Sequence, residues 1–156
     1  MENNIILKSI LNHHGFIVKQ IEPITTGKFN TSYFCEIQKD TAGRLAQNAK
    51  VVLRIAPPDD AGFIFYEKNM MAQEPHLHKI IREKTSIPIP EIYIFDDSRE
   101  IIHHNFLIME FLPGTPLSES RLNSSAADHV MRQTGRFLRE LHDKCRAEQY
   151  GYLGDH

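Results

Sequence analysis

Strand-like runs occur in this chain as a group of three and then a group of two, with one long helical period between them. No other feature of the sequence limits the possible folds as much. Phe16 to Thr25 reads as a strand whose end is weakened by Pro23. A turn, Thr26-Gly27-Lys28-Phe29-Asn30, leads into Thr31 to Gln38, rich in β-branched and aromatic residues, as the other arm of a hairpin. Lys39 to Asn48 is polar and loop-like, and Val51 to Ile55 reads as a third strand closed by Pro57-Pro58. Phe63 to Thr85 then has helical spacing through Met70, Met71, Leu77, Ile80 and Ile81. Pro75 interrupts it at a cost of about 3 kcal/mol, so either the helix kinks or a new one starts there. Ile87-Pro88-Ile89-Pro90 is extended, because a residue before proline is driven out of helix. Glu91 to Phe95 and Phe106 to Phe111 read as a second hairpin.

An apolar run, Ile5, Ile6, Leu7, Ile10 and Leu11, stopped by Gly15, predicts a leading helix. After the break at Pro113 to Pro116, Ser124 or Ser125 can cap a last helix reaching about Cys145. Its apolar stripe is Val130, Phe137, Leu138 and Leu141. The order is α+β: a five-strand antiparallel sheet with a helix across it, then a helix belonging to something else.

Composition narrows the function classes. With 41% hydrophobic residues in 156, the chain can build one core, which excludes collagen-like, disordered and disulfide-scaffold classes. A formal net charge of -2 lacks the basic excess of a dedicated nucleic-acid binder. No apolar run reaches the roughly 18 residues of a membrane span, and MENNIILKSILNHH has neither the basic start nor the cleavage site of a signal peptide. Cys35 and Cys145 have no metal-type spacing and read as free thiols in a reducing cytoplasm.

One ordered set of residues carries chemistry. A glycine-containing hairpin turn offers backbone N–H groups to phosphate oxygens. A cation on the next strand neutralises phosphate charge, and a helix carboxylate holds that cation. Gly27 with its neighbours, Arg54 and Glu74 stand in that order. FLIMEFLPG would then be a hinge whose backbone reads an adenine edge.

The runs ITTGKFNTSYFCEI, VVLRIAPP, QEPHLHKIIREKTSIPIPEIYIFD, NFLIMEFLPGTPL and GRFLRELH with YGYLG occur in this order. In them the chain resembles the aminoglycoside phosphotransferase and choline kinase-like phosphotransferases, which share the protein-kinase fold. The resemblance implies a kinase-like N-lobe and hinge over residues 1–112 and the start of a helical C-lobe over 113–156. It places Thr26, Gly27, Lys28, Phe29 and Asn30 in the phosphate-covering loop, Arg54 as the strand cation and Glu74 as its helix partner, with Glu67 a weaker substitute. Met109 falls at the gatekeeper position, and Glu110, Phe111 and Leu112 form the hinge. ATP, Mg²⁺ carried with it and a small-molecule hydroxyl acceptor are the implied ligands. A guanidinium at position 54 could grip phosphate and carboxylate two-pronged.

The family's catalytic loop, H-G-D-x-x-x-x-N followed by an aspartate, is not matched. His142-Asp143 lies inside the last helix, and Gly154-Asp155-His156 has the wrong order. The expectation is a nucleotide-binding part that is inactive alone. The alternative is a non-catalytic nucleotide- or partner-binding module derived from a kinase lobe, and a third is a fragment without function of its own. Without C-lobe partners, the last helix should dock on the N-lobe, self-associate or stay mobile. Nine histidines form no metal pattern, since the pairs at 13–14, 76/78 and 103–104 do not face one way. Met70, Met71 and Met109 read as core or pocket lining. Lys79, Arg82 and Lys84 read as a solvated face.

Overall fold

A computed structural model describes residues 2–25, 29–58 and 69–146. The elements are α1 (Glu2–His13), β1 (Phe16–Ile24), β2 (Thr31–Asp40), β3 (Lys50–Ile55), α2 (Met70–Lys84), β4 (Ile92–Asp96), β5 (Phe106–Glu110) and α3 (Ser124–Lys144). The five strands form one antiparallel sheet in the order β1-β2-β3-β5-β4. The only crossing in that order is the placement of β5 between β3 and β4, which brings the end of β5 beside the start of β3.

Directly paired residues of an antiparallel sheet share a face. Tyr33, Leu53 and Ile108 form one cross-strand row, and Cys35 and Val51 extend that face. It is closed by Leu7, Ile10 and Leu11 of α1, with Phe16, Ile37 and Phe106 completing the core. The opposite face carries the rows Ser32–Arg54–Leu107 and Phe34–Val52–Met109. α2 lies on this second face, tied to β3 through Arg54 and Glu74.

Several boundaries differ from the sequence-based expectation. β2 continues through Lys39 and Asp40, read above as loop, because both pair with the start of β1. Asp40 is buried there and accepts the N–H groups of Ala42, Arg44 and Leu45. Pro23 is tolerated in β1 because this is an edge strand. α2 runs through Pro75, which corrects the alternative of a fresh start there. Asn69, in the left-handed region at φ 55, precedes the first turn, and Pro75 sits in the second. α3 is capped by Asn123 rather than by Ser124 or Ser125, its side-chain oxygen accepting the Ala126 N–H at 2.9 Å.

The IPIP segment is stitched back to α2. A ring nitrogen of His78 pairs with the Pro90 carbonyl at 2.9 Å, and Arg82 reaches the Ile89 carbonyl and Glu91. Arg82 is therefore a strap rather than only a solvated face. α3 has no buried residue. It is anchored by Glu140, which accepts from Ser86 N–H and Oγ–H at 2.9 and 2.7 Å. Val130, Phe137 and Leu141 are half-buried, while Leu138 is exposed.

The α1–β1 turn has one tight point. Gly15 has φ +84, and a Cβ there would stand 2.5 Å from Thr41 Oγ1. Thr41 donates both its N–H and its hydroxyl to the Gly15 carbonyl. Gly15→Ala is expected to lose about 2 kcal/mol, roughly twice the cost of the left-handed backbone alone. Gly43→Ala, at φ +73 with nothing within 4 Å, isolates the backbone part. Urea unfolding of both variants measures the difference, and equal losses would refute the clash.

Candidate nucleotide cleft

Arg54 is the fifth residue of β3, and the two-residue period puts it on the α2 face together with Val52. Glu74 is the fifth residue of α2, late enough in the helix to overhang the end of β3. Arg54 Nη1 donates to Glu74 Oε2 at 2.6 Å. The side chains keep 25% and 20% of their exposure, so the pair is neither fully solvated nor sealed. A cation with spare guanidinium N–H groups and an opening to solvent can take an anion without first breaking its carboxylate contact.

This pair lines a cavity of about 600 Å³. Phe29 and Asn30 reach it from the end of the first hairpin, and Met70 and Met71 from the start of α2. Thr26, Gly27, Lys28 and Glu67 lie outside the described residues. Asp97, Arg99 and Asn105 of the β4–β5 connection also line it, as does Asn69. Sequence reasoning missed these four. The connection is a polar turn by composition, and only strand pairing carries it to the end of β3, where Ala56 N–H donates to the Asn105 carbonyl at 2.8 Å. Asn69 had one legible signal, an Asn directly before the helical period. Its side chain makes no cap, and its oxygen faces the Asn105 amide at 3.5 Å.

The hinge residues lie elsewhere on the same sheet, and none of Met109 to Leu112 lines the cavity. Met109 is buried in β5 and faces Val52 across the strands. Glu110 turns its carboxylate toward the Glu91 N–H, 3.1 Å, and Arg82, 3.9 Å. Its own N–H donates to the Glu91 carbonyl at 2.7 Å, so that amide is already taken by the protein. Phe111 is half-buried and Leu112 exposed.

His14 and Cys35 lie outside the cavity lining. His14 Nε2 lies 3.0 Å from Asp96, with its ring edge-on to Phe106. Burial lowers the His14 pKa against the opposing pull of Asp96. Burial pushes the Cys35 thiol up to about 12, which makes it an inert core group. Among the described residues no three His, Cys, Asp or Glu side chains converge as a metal site. Among them, too, no helix is long and apolar enough to cross a membrane.

Residues 20–149 match the phosphotransferase enzyme family. A crystal structure from Ralstonia eutropha JMP134, provisionally named an aminoglycoside phosphotransferase, superposes with a TM-score of 0.59. The two share 16% identity, and the match covers 89% of this chain and 37% of that one. This likeness shows the kinase-like α+β fold. A curated relative, named probable acyl-CoA dehydrogenase IBR3, from Arabidopsis thaliana, is 25% identical over 137 residues. That match covers 83% of this chain and 16% of the relative, so the chain spans about a sixth of the relative's length.

Proposed function

The chain belongs to the phosphotransferase enzyme family, and from that premise we propose that it forms the ATP-binding part of a phosphotransferase acting on a hydroxyl acceptor. The observation that supports this reading is the Arg54–Glu74 contact at 2.6 Å, partly open to a cavity at the end of β3. Phosphoryl transfer needs its nucleotide positioned and its anionic charge met by fixed donors. Arg54 supplies the donors. Glu74 holds the guanidinium in one orientation, so that little side-chain entropy is lost when phosphate arrives. The backbone around Phe111 and Leu112 would take the base. Magnesium would enter with the nucleotide and supply further charge neutralisation on its phosphates.

The binding-module reading keeps one specific support. The sequence has no H-G-D-x-x-x-x-N loop, the element that orients the acceptor hydroxyl in kinases. Calorimetric titration of this chain with ATP, followed by a turnover assay, separates the readings. Binding without turnover is the expected result. Robust turnover would refute the inactivity, and absence of ATP binding would overturn the nucleotide reading itself. The acceptor panel for a protein carrying this chain should include hydroxyacyl thioesters beside amino sugars and amino alcohols. The thioesters are added because one relative is named for an acyl-CoA substrate.

A further inference from the structure

α2 is held to the sheet by little apolar packing. Among the described residues of this helix only Met71, in its first turn, is buried. Pro75, in the second turn, has no N–H to give the Met71 carbonyl, so the backbone bond joining those turns is missing. Packing therefore fixes only the start of the helix, and polar ties hold the rest.

Those ties fall on one stripe. Glu74, His78 and Arg82 are four residues apart, which stacks them along one side of the helix. Glu74 meets Arg54 of β3 at 2.6 Å. His78 meets the Pro90 carbonyl at 2.9 Å. Arg82 spreads its guanidinium over three acceptors. Its Nη1 lies 3.4 Å from the Ile89 carbonyl and 3.9 Å from Glu110 Oε2, and its Nη2 lies 3.4 Å from Glu91 Oε2. The same Glu110 oxygen accepts the Glu91 N–H at 3.1 Å. Glu110 is the last residue of β5, so one side chain ties the far end of α2 to both strands of the second hairpin.

We propose that Arg82 is a positioning residue for the phosphate end of the cleft. By tying the last turns of α2 to Glu91 and Glu110 it sets where Glu74 stands, and through Glu74 how Arg54 is presented to an anion. This rests on the nucleotide reading above and adds to it a residue that lines no part of the cavity. Arginine suits the task, because one planar group meets a carbonyl and two carboxylates in a fixed geometry. The Arg82 side chain keeps 42% of its exposure. An exposed ion pair shifts an equilibrium by up to about 5-fold, and the strap passes only part of that to Arg54.

The test is a double-mutant cycle, read by calorimetry with ATP and by thermal unfolding. Arg82→Gln is expected to weaken ATP binding about 3-fold. In a Glu74→Ala background Arg54 has no carboxylate to set it. There the same change should leave ATP affinity within about 1.5-fold, while lowering Tm as much as it does in the parent. Unchanged ATP affinity in Arg82→Gln, or equal losses in the two backgrounds, overturns the proposal and leaves the nucleotide reading standing. If Arg82→Gln fails to fold, Glu110→Gln takes its place, since it removes the charge facing Arg82 and keeps an oxygen for the Glu91 N–H. Its probe is inorganic tripolyphosphate, which has no base to touch the hinge. Weaker tripolyphosphate binding by that variant is the expected result, and unchanged binding overturns the strap. If the parent chain binds neither ligand, both proposals fall together.

Discussion

Arg54→Ala is expected to weaken ATP binding by about 10- to 100-fold. The range follows from losing hydrogen bonds to a charged group, about 1.5–3 kcal/mol. The variant also leaves the Glu74 carboxylate facing an anionic ligand with nothing to neutralise it. Arg54→Lys keeps the charge and loses the fork, so its loss should be smaller. Glu74→Gln keeps an acceptor for Arg54 and should cost least, because it acts on orientation alone. Stability should respond less than affinity does. An exposed ion pair contributes at most about 1 kcal/mol, whereas breaking a buried one costs about 3–5. Side chains 25% and 20% exposed fall between these limits, at about 1–2 kcal/mol. Calorimetry for affinity and urea unfolding for stability measure the two separately. An Arg54→Ala protein that binds ATP like its parent would remove Arg54 from the site.

Asp40→Ala is expected to be the most destabilising single change considered. The Asp40 side chain is fully buried and accepts from three backbone N–H groups and from Arg44 Nε and Nη2. Arg44 in turn lies 4.0 Å over the Phe16 ring and donates to the His14 carbonyl at 2.6 Å. This cluster clamps the β2–β3 loop onto the α1–β1 turn. Its loss leaves buried donors and a guanidinium without their acceptor. Arg44 is partly exposed, so water recovers some of that, and about 2–4 kcal/mol is the expected cost.

The same group sets a pH dependence. The hydrogen bond from Arg44, and then those from the backbone, lower the Asp40 carboxyl to about 2. Its unfolded pKa is higher, so the unfolded chain takes up the proton first on acidification. The stabilisation is therefore present above about pH 4 and is lost as pH falls toward 2, amounting to at most about 2 kcal/mol. Urea unfolding at pH 5 and pH 3 measures it, and Asp40→Asn should flatten the difference. An unchanged acid slope in that variant would assign the loss to other carboxylates.

Much of this fold can be read along the chain. The hairpin of β1 and β2, β3, the second hairpin and both flanking helices lie where residue period and turn chemistry place them. These are local properties: a pleat alternates every two residues, and a helix repeats every 3.6. Errors occur where distant partners override local character. Lys39 and Asp40 look like loop and are strand because β1 pairs with them. Pro75 leaves a continuing helix and a fresh start both open by sequence, and α2 runs through it from a left-handed Asn69. Asn123 rather than the adjoining serines caps α3, since its oxygen reaches the Ala126 N–H.

For the candidate site, residue types and order in the sequence single out Thr26 to Asn30, Arg54, Glu74 and the stretch from Met109 to Leu112. They leave Asn69, Asp97, Arg99 and Asn105 unmarked. An asparagine in a turn carries no local sign of a cleft. Register decides which residues share a row, and the insertion of β5 between β3 and β4 decides which strands are neighbours. Sequence alone therefore determined the kinds of elements and their order, because those depend on contacts a few residues apart. Only the tertiary structure decided that Arg82 reaches Glu110 and that Asp40 is sealed beneath Arg44. Those contacts depend on elements and loops that only the assembled sheet brings together.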